Sequence, residues 1–348
     1  MTGKKGRYGG KSPEGKQMNQ EYLYGINTVL ALLSVNAGRR KIFGLTINGS
    51  KNRSARLEEI ISMAYSRGIP VNVLEHGAFI KYLSNAFSVP KAAASGPQTG
   101  RETNGRTSGH ETGTGRQLPG RPSAYGGSKS GSYTSHHTNA ARPGADFSGR
   151  NPGEYLSEEF LSSTQGIVAE VSNYSYSELD TDLKELSHKK GLLLLLDEIT
   201  DVGNFGSILR NCSAFGADGV IITKNRSVDA NSRVSKISSG AMEEVKIYNV
   251  TNLSKSIELL KENGFWIYGT SSSDEKNMLS AGDTEYIFPA AVVFGSEGKG
   301  IGKLVESKCD FLVTIEMFGH MQSLNVSTSS GIMLFLMKRY QNSLSSQE

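Results

Sequence analysis

Three short segments of this chain set glycines and polar side chains just behind an apolar run. They are Asn204, Gly206 and Arg210 in DEITDVGNFGSILRNCSAFGADGV, Gly295, Glu297, Gly298 and Gly300 in FGSEGKGIG, and Ser323, Asn325 and Ser327 in EMFGHMQSLNVS. Amide, guanidinium, carboxylate and hydroxyl groups of this kind can orient a ligand, stabilise charge and relay protons. Glycines let backbone approach the same ligand closely. Each segment also has a plainer reading. Ser323, Asn325 and Ser327 stand where a helix N-cap is expected, and such side chains accept hydrogen bonds from the orphan N–H groups of a first helical turn. A loop such as 295–300 is, by itself, a turn. Three strand ends with the same pattern are hard to explain as three independent caps, and together they point to a ligand site. The spacing GNFG at 203–206 is not the GxGxxG of a dinucleotide fold, and no P-loop occurs. Asn204 and Gly206 read as a tight turn leading into a helix, with Arg210 almost two turns later, on or near the face of Ile208.

In an open α/β sheet, ligands bind at the carboxyl ends of the strands, so the segments need strands ahead of them. GLLLLLDEI, GVIIT, VKIYNV, WIYGTSS, AAVVFG and FLVTIEM are short apolar runs separated in several places by helical patterns. This rhythm predicts a mostly parallel sheet covered on both faces. The last helix follows MQSLNVS. Further upstream, YGINTVLALLS has helical spacing, KIFGLTIN reads as a strand, SARLEEIISMAYSRGI as an amphipathic helix and PVNVLE as a strand. These form a smaller α/β unit, to which QGIVAEV (165–171) is assigned as a closing strand.

Between them, residues 91–152 hold twelve glycines and almost no branched aliphatics, a composition that cannot offset its ordering entropy. The expected organisation is therefore a basic disordered tail over 1–20, a small unit over 21–175 interrupted by a disordered insertion at 91–152, a linker at 176–189 and a larger domain over 190–342. Charge follows this division. The first 20 residues carry five Lys/Arg against one Glu and the insertion eight against three acids, so of the overall +4 the remainder carries about −5. Basic segments of that kind serve as electrostatic tethers to phosphate backbones or as plain solvated linkers. His136-His137 has no Cys or acid at ligand spacing and reads as incidental. Cys212 and Cys309 are far apart, which excludes a disulfide framework or a zinc-type spacing. No apolar run approaches the roughly 18 residues of a membrane span, and MTGKKGRYGGKSPEGK has no signal-peptide core. A soluble cytoplasmic protein with no membrane partner is expected.

NFGSILRNCSAFG, VVFGSEGKGI and IEMFGHMQSLNVSTSSGI, in this order, resemble the three motifs of the SpoU (TrmH-type) branch of the SPOUT superfamily, across roughly residues 190–341. Its members methylate ribose 2′-hydroxyls of RNA with S-adenosylmethionine. YGINTVLALL and TQGIVAEV are similar to the small L30e-like substrate-binding domain of the bacterial 23S rRNA guanosine 2′-O-methyltransferases within that branch. KNRSVDAN, SSGAMEEVKIYNVTNL and WIYGTSS strengthen the likeness.

The resemblance implies an α/β fold in two parts, an L30e-like amino-terminal domain and a trefoil-knotted SPOUT methyltransferase domain, the knot being a rare exception to unthreaded topology. It implies S-adenosylmethionine held largely by backbone groups at Thr270, Gly295, Glu297, Gly298, Ile315, Met317 and Leu324. It implies catalytic roles for Arg210, Asn204, Glu297, Ser323 and Asn325, no metal, a homodimer, and RNA as partner. The favoured substrate is a guanosine in the peptidyl-transferase region of 23S rRNA. The alternatives are a tRNA ribose methyltransferase, which the basic tail keeps in play, and a non-catalytic RNA-binding assembly factor. The family's HQG element has Thr164 in place of its His, which leaves substrate choice the least determined of these expectations.

Overall fold

The computed structural model describes residues 20–35, 38–51, 54–87, 156–271 and 278–345. The expected disordered insertion, and the expected tail up to residue 19, lie outside the described residues.

The amino-terminal half contains β1 (Gln20–Tyr24), α1 (Ile26–Val35), β2 (Ile42–Asn48), α2 (Ala55–Ser66), β3 (Val71–Leu74), α3 (His76–Ala86), α4 (Glu158–Ser163) and β4 (Ile167–Ser172). Its four strands run in the order β1-β4-β2-β3. β4 pairs antiparallel with both β1 and β2, while β2 and β3 are parallel. The strand expected at QGIVAEV thus sits at the centre of this sheet, although it enters the chain last. β1 has no counterpart in the sequence expectations. Its residues QEYLY bury only Leu23, so the apolar alternation that marks a strand is absent.

The carboxy-terminal half contains α5 (Leu179–His188), β5 (Leu192–Leu196), α6 (Val202–Phe215), β6 (Gly219–Thr223), α7 (Ser232–Ile237), α8 (Ala241–Glu244), β7 (Ile247–Val250) and α9 (Leu253–Glu262). It continues through β8 (Trp266–Thr270), β9 (Leu279–Ser280), β10 (Ala290–Phe294), α10 (Lys303–Glu306), β11 (Phe311–Thr314) and α11 (Val326–Ser345). The seven strands lie in the order β7-β6-β5-β10-β8-β11-β9, and every neighbouring pair is parallel.

The run LLLLL explains why β5 is central. Successive side chains on a strand point to opposite faces, so an unbroken apolar run suits a strand covered twice. Leu192, Leu194 and Leu196 join Ile208, Leu209 and Cys212 of α6 and Met333, Leu334 and Met337 of α11. Leu193 and Leu195 face the other way, onto Leu183 and Leu186 of α5 and Ile257 and Leu260 of α9. Burying each leucine contributes about 2 kcal/mol. Both cysteines are free, and burial pushes the Cys309 thiol up to about 12 and the Cys212 thiol higher still.

The strand order sets where the polar segments leave the sheet. From β5 the chain passes to β6 on one side, while β10 pairs on the other side, with Leu196 opposite Phe294. The β5/β10 boundary is therefore a topological switch point, where the loops leaving adjacent strands diverge and open a crevice. Two of the three polar segments leave the sheet there. Among the described residues no helix is long and apolar enough to cross a membrane.

Candidate active site

The segment after β5 enters α6 sooner than its glycines suggest. Asp201 is the N-cap, its carboxylate accepting the Asn204 N–H at 2.7 Å, so Asn204 and Gly206 belong to the helix itself and not to a tight turn before it. Gly206 is required by packing. A Cβ there would lie 2.6 Å from Ile237 Cγ2 and 3.2 Å from the Ser238 nitrogen, at the end of α7. The helix ends at Gly216, in the left-handed region at φ +69°, where glycine carries no Cβ penalty. Asp201→Ala is expected to lower stability by about 1 kcal/mol through loss of the cap, read as a shift in denaturation midpoint at unchanged slope.

After β10 the chain folds back on itself. Ser296 and Gly300 exchange backbone hydrogen bonds of 3.1 and 2.9 Å, with Gly298 at φ +83° and Gly300 at φ +67° inside and at the close of the turn. Asp197, just past β5, accepts the Gly302 N–H at 2.9 Å and ties this turn to its neighbouring strand. The exposed tip of the turn carries Glu297.

After β11 an irregular segment over 315–325 leads into α11. Asn325 caps that helix, its Oδ1 accepting the Ser327 N–H at 2.9 Å and the Ser327 hydroxyl at 2.6 Å. The other end of the same amide has a different task. Asn325 Nδ2 donates to Asn204 Oδ1 at 2.9 Å and to Glu297 Oε1 at 2.8 Å, and Asn204 Nδ2 donates to the same Glu297 oxygen at 2.8 Å. The capping reading of Asn325 holds at its acceptor end, and its donor end joins it to Asn204 and Glu297. One residue from each of the three segments meets in a single closed triangle of hydrogen bonds.

Arg210 and Ser323 stay outside this triangle. Both are exposed, and neither makes a hydrogen bond or ion pair among the described residues. Arg210 does not share the face of Ile208. Two residues apart on a helix is about 200° of rotation, and Ile208 is fully buried while Arg210 points out. The face that does continue from Asn204 is seven residues on, at Asn211. Its Nδ2 donates to Ser327 O at 2.7 Å and Ser330 Oγ at 3.0 Å, which fastens α6 to the first turn of α11. Asp201 and Asn211 were not among the expected site residues. The seven-residue spacing of two asparagines is the signal that marks the second.

The remaining expected residues lie at the carboxyl ends of β8, β10 and β11. Thr270 donates its hydroxyl to Val293 O at 2.9 Å and pairs with Val313. Gly295 immediately follows β10, Ile315 packs against the core, Leu324 is half-buried and Met317 is exposed. A Cβ on Gly295 would fall 1.9 Å from the Gly300 carbonyl carbon and 2.2 Å from the Ile301 nitrogen, so the backbone of 295–301 is folded tightly onto itself. Beside the site, Glu198 and Arg226 both adopt positive φ, +58° and +62°, at the ends of β5 and β6. They meet at 2.7 Å, and the Arg226 guanidinium holds the Glu198 carboxyl below the usual carboxylate range.

The sequence profile of the SpoU rRNA methylase family matches residues 191–335, which include Asn204, Glu297 and Asn325. A Staphylococcus aureus protein assigned to the TrmH family of tRNA/rRNA methyltransferases is 45% identical over 173 residues, covering 49% of this chain and 68% of that protein. YacO of Bacillus subtilis, assigned to the same family, is 40% identical over 194 residues, covering 55% of this chain and 76% of YacO. Among solved structures, the SpoU methyltransferase AviRb from Streptomyces viridochromogenes, in complex with AdoMet, aligns at a TM-score of 0.57 and 16% identity over 93% of this chain and 91% of AviRb. An AdoMet-bound rRNA methyltransferase from Sinorhizobium meliloti aligns at 0.55 and 16% identity over 92% and 87%. The structural likenesses establish the shared fold. The sequence relatives establish that this chain belongs to the SpoU (TrmH) family of RNA methyltransferases.

Proposed function

We propose that this protein methylates a ribose 2′-hydroxyl of RNA with S-adenosylmethionine as donor, and that its substrate is a guanosine in the peptidyl-transferase region of 23S rRNA. The observation that carries the reading is the Asn204–Glu297–Asn325 triangle, since side chains from three separate strand ends have no reason to converge unless they serve one site. The reading includes a trefoil-knotted domain over 190–342, an L30e-like amino-terminal domain and a homodimer, all carried from the family resemblance.

The residues present fit the donor. Gly295 directly follows β10 at the carboxyl edge of the sheet and puts no side chain in front of its main chain, and Ile315 and Leu324, past β11, are half-buried apolar residues. Thr270, Gly295, Glu297, Gly298, Ile315, Met317 and Leu324 would hold it. When bound, S-adenosylmethionine supplies an electrophilic methyl group.

The protein's own task is to present the ribose and to help remove its proton, because a hydroxyl is a weak nucleophile at neutral pH. Asn204 and Asn325, each fixed through Glu297, orient the ribose, and in-line geometry supplies much of the rate. A guanidinium donates hydrogen bonds and accepts none, so Arg210 acts by placing positive charge beside the hydroxyl and the neighbouring phosphate. The Ser323 hydroxyl, or a water beside it, takes part in the proton path. Arg210 is exposed and unpaired among the described residues, which suits a group that meets its partner on the RNA. Arg210→Lys is expected to retain activity within about tenfold, since charge is kept while the fork geometry is lost. A folded, donor-binding but inactive Lys variant would contradict a purely electrostatic role.

The relatives' names cover both tRNA and rRNA, and mapping ribose methylation at nucleotide resolution in cells with and without the gene decides between them. Loss of one methyl group at a peptidyl-transferase guanosine supports the proposal. Loss at a tRNA position keeps the chemistry and overturns the substrate. No loss anywhere favours a non-catalytic RNA-binding factor.

A further inference from the structure

The two halves of the protein meet across a buried polar junction that the reaction does not explain. Arg39 and Arg40 precede β2. Arg39 Nη1 donates to the Glu243 carbonyl at 2.7 Å, and Arg40 Nε donates to the Glu243 carboxylate Oε2 at 3.2 Å. The second carboxylate oxygen accepts the Ser235 hydroxyl at 2.9 Å. Arg40 Nη1 also reaches Glu21 at 2.7 Å and Ser172 O at 2.8 Å, and the guanidinium lies 5.4 Å from the centre of the Tyr174 ring. The side chains of Arg40 and Glu243 are both 0% exposed. Glu243 thus binds one half through Oε2 and the other through Oε1.

A second contact runs in the opposite direction. Lys236, on α7, donates to Ser163 O at the end of α4 at 2.6 Å, with its ammonium 5.4 Å from the centre of the Tyr24 ring. Gly240, at φ +93°, lets α8 touch α1, since a Cβ there would lie 2.6 Å from Ala31 Cβ. On its other side the same bracket, residues 232–244, presses Ile237 onto Gly206, two residues from Asn204. A continuous set of contacts therefore joins the amino-terminal sheet to the helix that carries the site.

Stability alone does not account for such a pair. Two charges taken out of water lose hydration that their attraction barely restores, and well-packed apolar residues of similar size commonly do as well or better. What an apolar pair lacks is direction. Hydrogen bonds to both oxygens of one carboxylate fix distance and angle together.

We propose that Glu243, with Arg40, is a positioning residue that locks the amino-terminal half in the orientation at which RNA held there presents its ribose to Asn204, Glu297 and Asn325. This rests on the ribose-methylation reading above.

The test uses the full chain carrying Arg40→Met and Glu243→Met together, an apolar pair of similar length. Melting temperature, S-adenosylmethionine stoichiometry, RNA affinity and the single-turnover methylation rate at saturating RNA are measured. Stoichiometry and RNA affinity are expected to hold within about threefold while the rate falls at least about tenfold, as for a displaced but intact site. A rate within about threefold of the parent, at full donor stoichiometry, would overturn the proposal. Should the double variant not fold, Glu243→Gln, which keeps the shape and removes the charge, is expected to shift the rate in the same direction, and an unchanged rate overturns the idea equally. Nitroxide labels at Tyr65→Cys and Leu304→Cys give a readout independent of activity. Their distance distribution is narrow in the parent and broad in the double variant, and an equally narrow distribution contradicts the lock. If the parent itself methylates no RNA, the functional reading fails, while the label distances still decide whether Glu243 fixes the orientation.

Discussion

Replacing Glu297 by Ala is expected to lower the methyl-transfer rate by two to three orders of magnitude, roughly 100- to 1000-fold, while leaving the protein folded. Glu297 is exposed at the tip of the turn after β10 and packs into no core, so its removal leaves no cavity. What it removes is the acceptor shared by Asn204 Nδ2 and Asn325 Nδ2, each at 2.8 Å. Asn325 keeps its cap on α11 through the opposite end of its amide, so the helix stays in place while the donor end loses one of its two partners. Asn204 loses the partner of its Nδ2 end and Asn325 one of its two donor bonds, which loosens both amides, and a displacement of about 1 Å in an orienting group costs about 100-fold. Glu297→Gln keeps an acceptor oxygen and is expected to fall between the two. Single-turnover rates, with circular dichroism and melting as controls, check the ordering. A Glu297→Ala rate close to the parent would mean that the triangle is structural only.

Gly295→Ala is expected to disrupt the turn itself and with it both donor binding and stability. The new methyl carbon would sit 1.9 Å from the Gly300 carbonyl carbon and 2.1 Å from its oxygen. Both are backbone atoms of a turn closed by the Ser296–Gly300 pair, so no flexible side chain can move aside. Overpacking of this kind costs about 3 kcal/mol or more, because the 295–301 segment must open. Opening it also moves Glu297 and the Gly302 N–H that binds Asp197. Gly298→Ala is the control for stability. It has φ +83° with nothing within 4 Å of the added carbon, so it meets only the left-handed backbone penalty of about 1–2 kcal/mol. Denaturation curves separate the two variants, and calorimetric titration with S-adenosylmethionine reads the loss of donor binding in Gly295→Ala. Equal losses would contradict the account of Gly295.

The sequence carried the strands well where the apolar signal was dense. LLLLL announced a doubly covered strand, and the three polar segments behind β5, β10 and β11 marked the carboxyl edge of the sheet where Asn204, Glu297 and Asn325 meet. What it could not carry were relations between residues far apart in the chain. β1 pairs with β4 across more than 140 residues, and QEYLY has no alternation to announce it. The Arg40–Glu243 junction joins residues 203 apart, each of which reads locally as an ordinary surface charge. The start of α6 differs from expectation because glycines at 203 and 206 suggest a turn, whereas Asp201 caps the helix and Gly206 answers to the packing of Ile237. Asn325 is the most instructive case. Helix capping and a place among the polar segments read as rival explanations, yet the two ends of one amide cap α11 and reach Asn204 and Glu297 at once. Motif resemblance groups Arg210 and Ser323 with the others, and the structure leaves both exposed and outside the triangle.

The central claim is that three strand-end segments form one ribose-methylating site, and the most direct measurement is methyl transfer by the purified protein. Large-subunit RNA from cells lacking the gene is incubated with S-adenosylmethionine tritiated in its methyl group, then digested to nucleosides and separated. The account predicts label in 2′-O-methylguanosine with the parent protein and near-background label with Glu297→Ala. Label in a base-methylated nucleoside, or equal labelling by the two proteins, would contradict it.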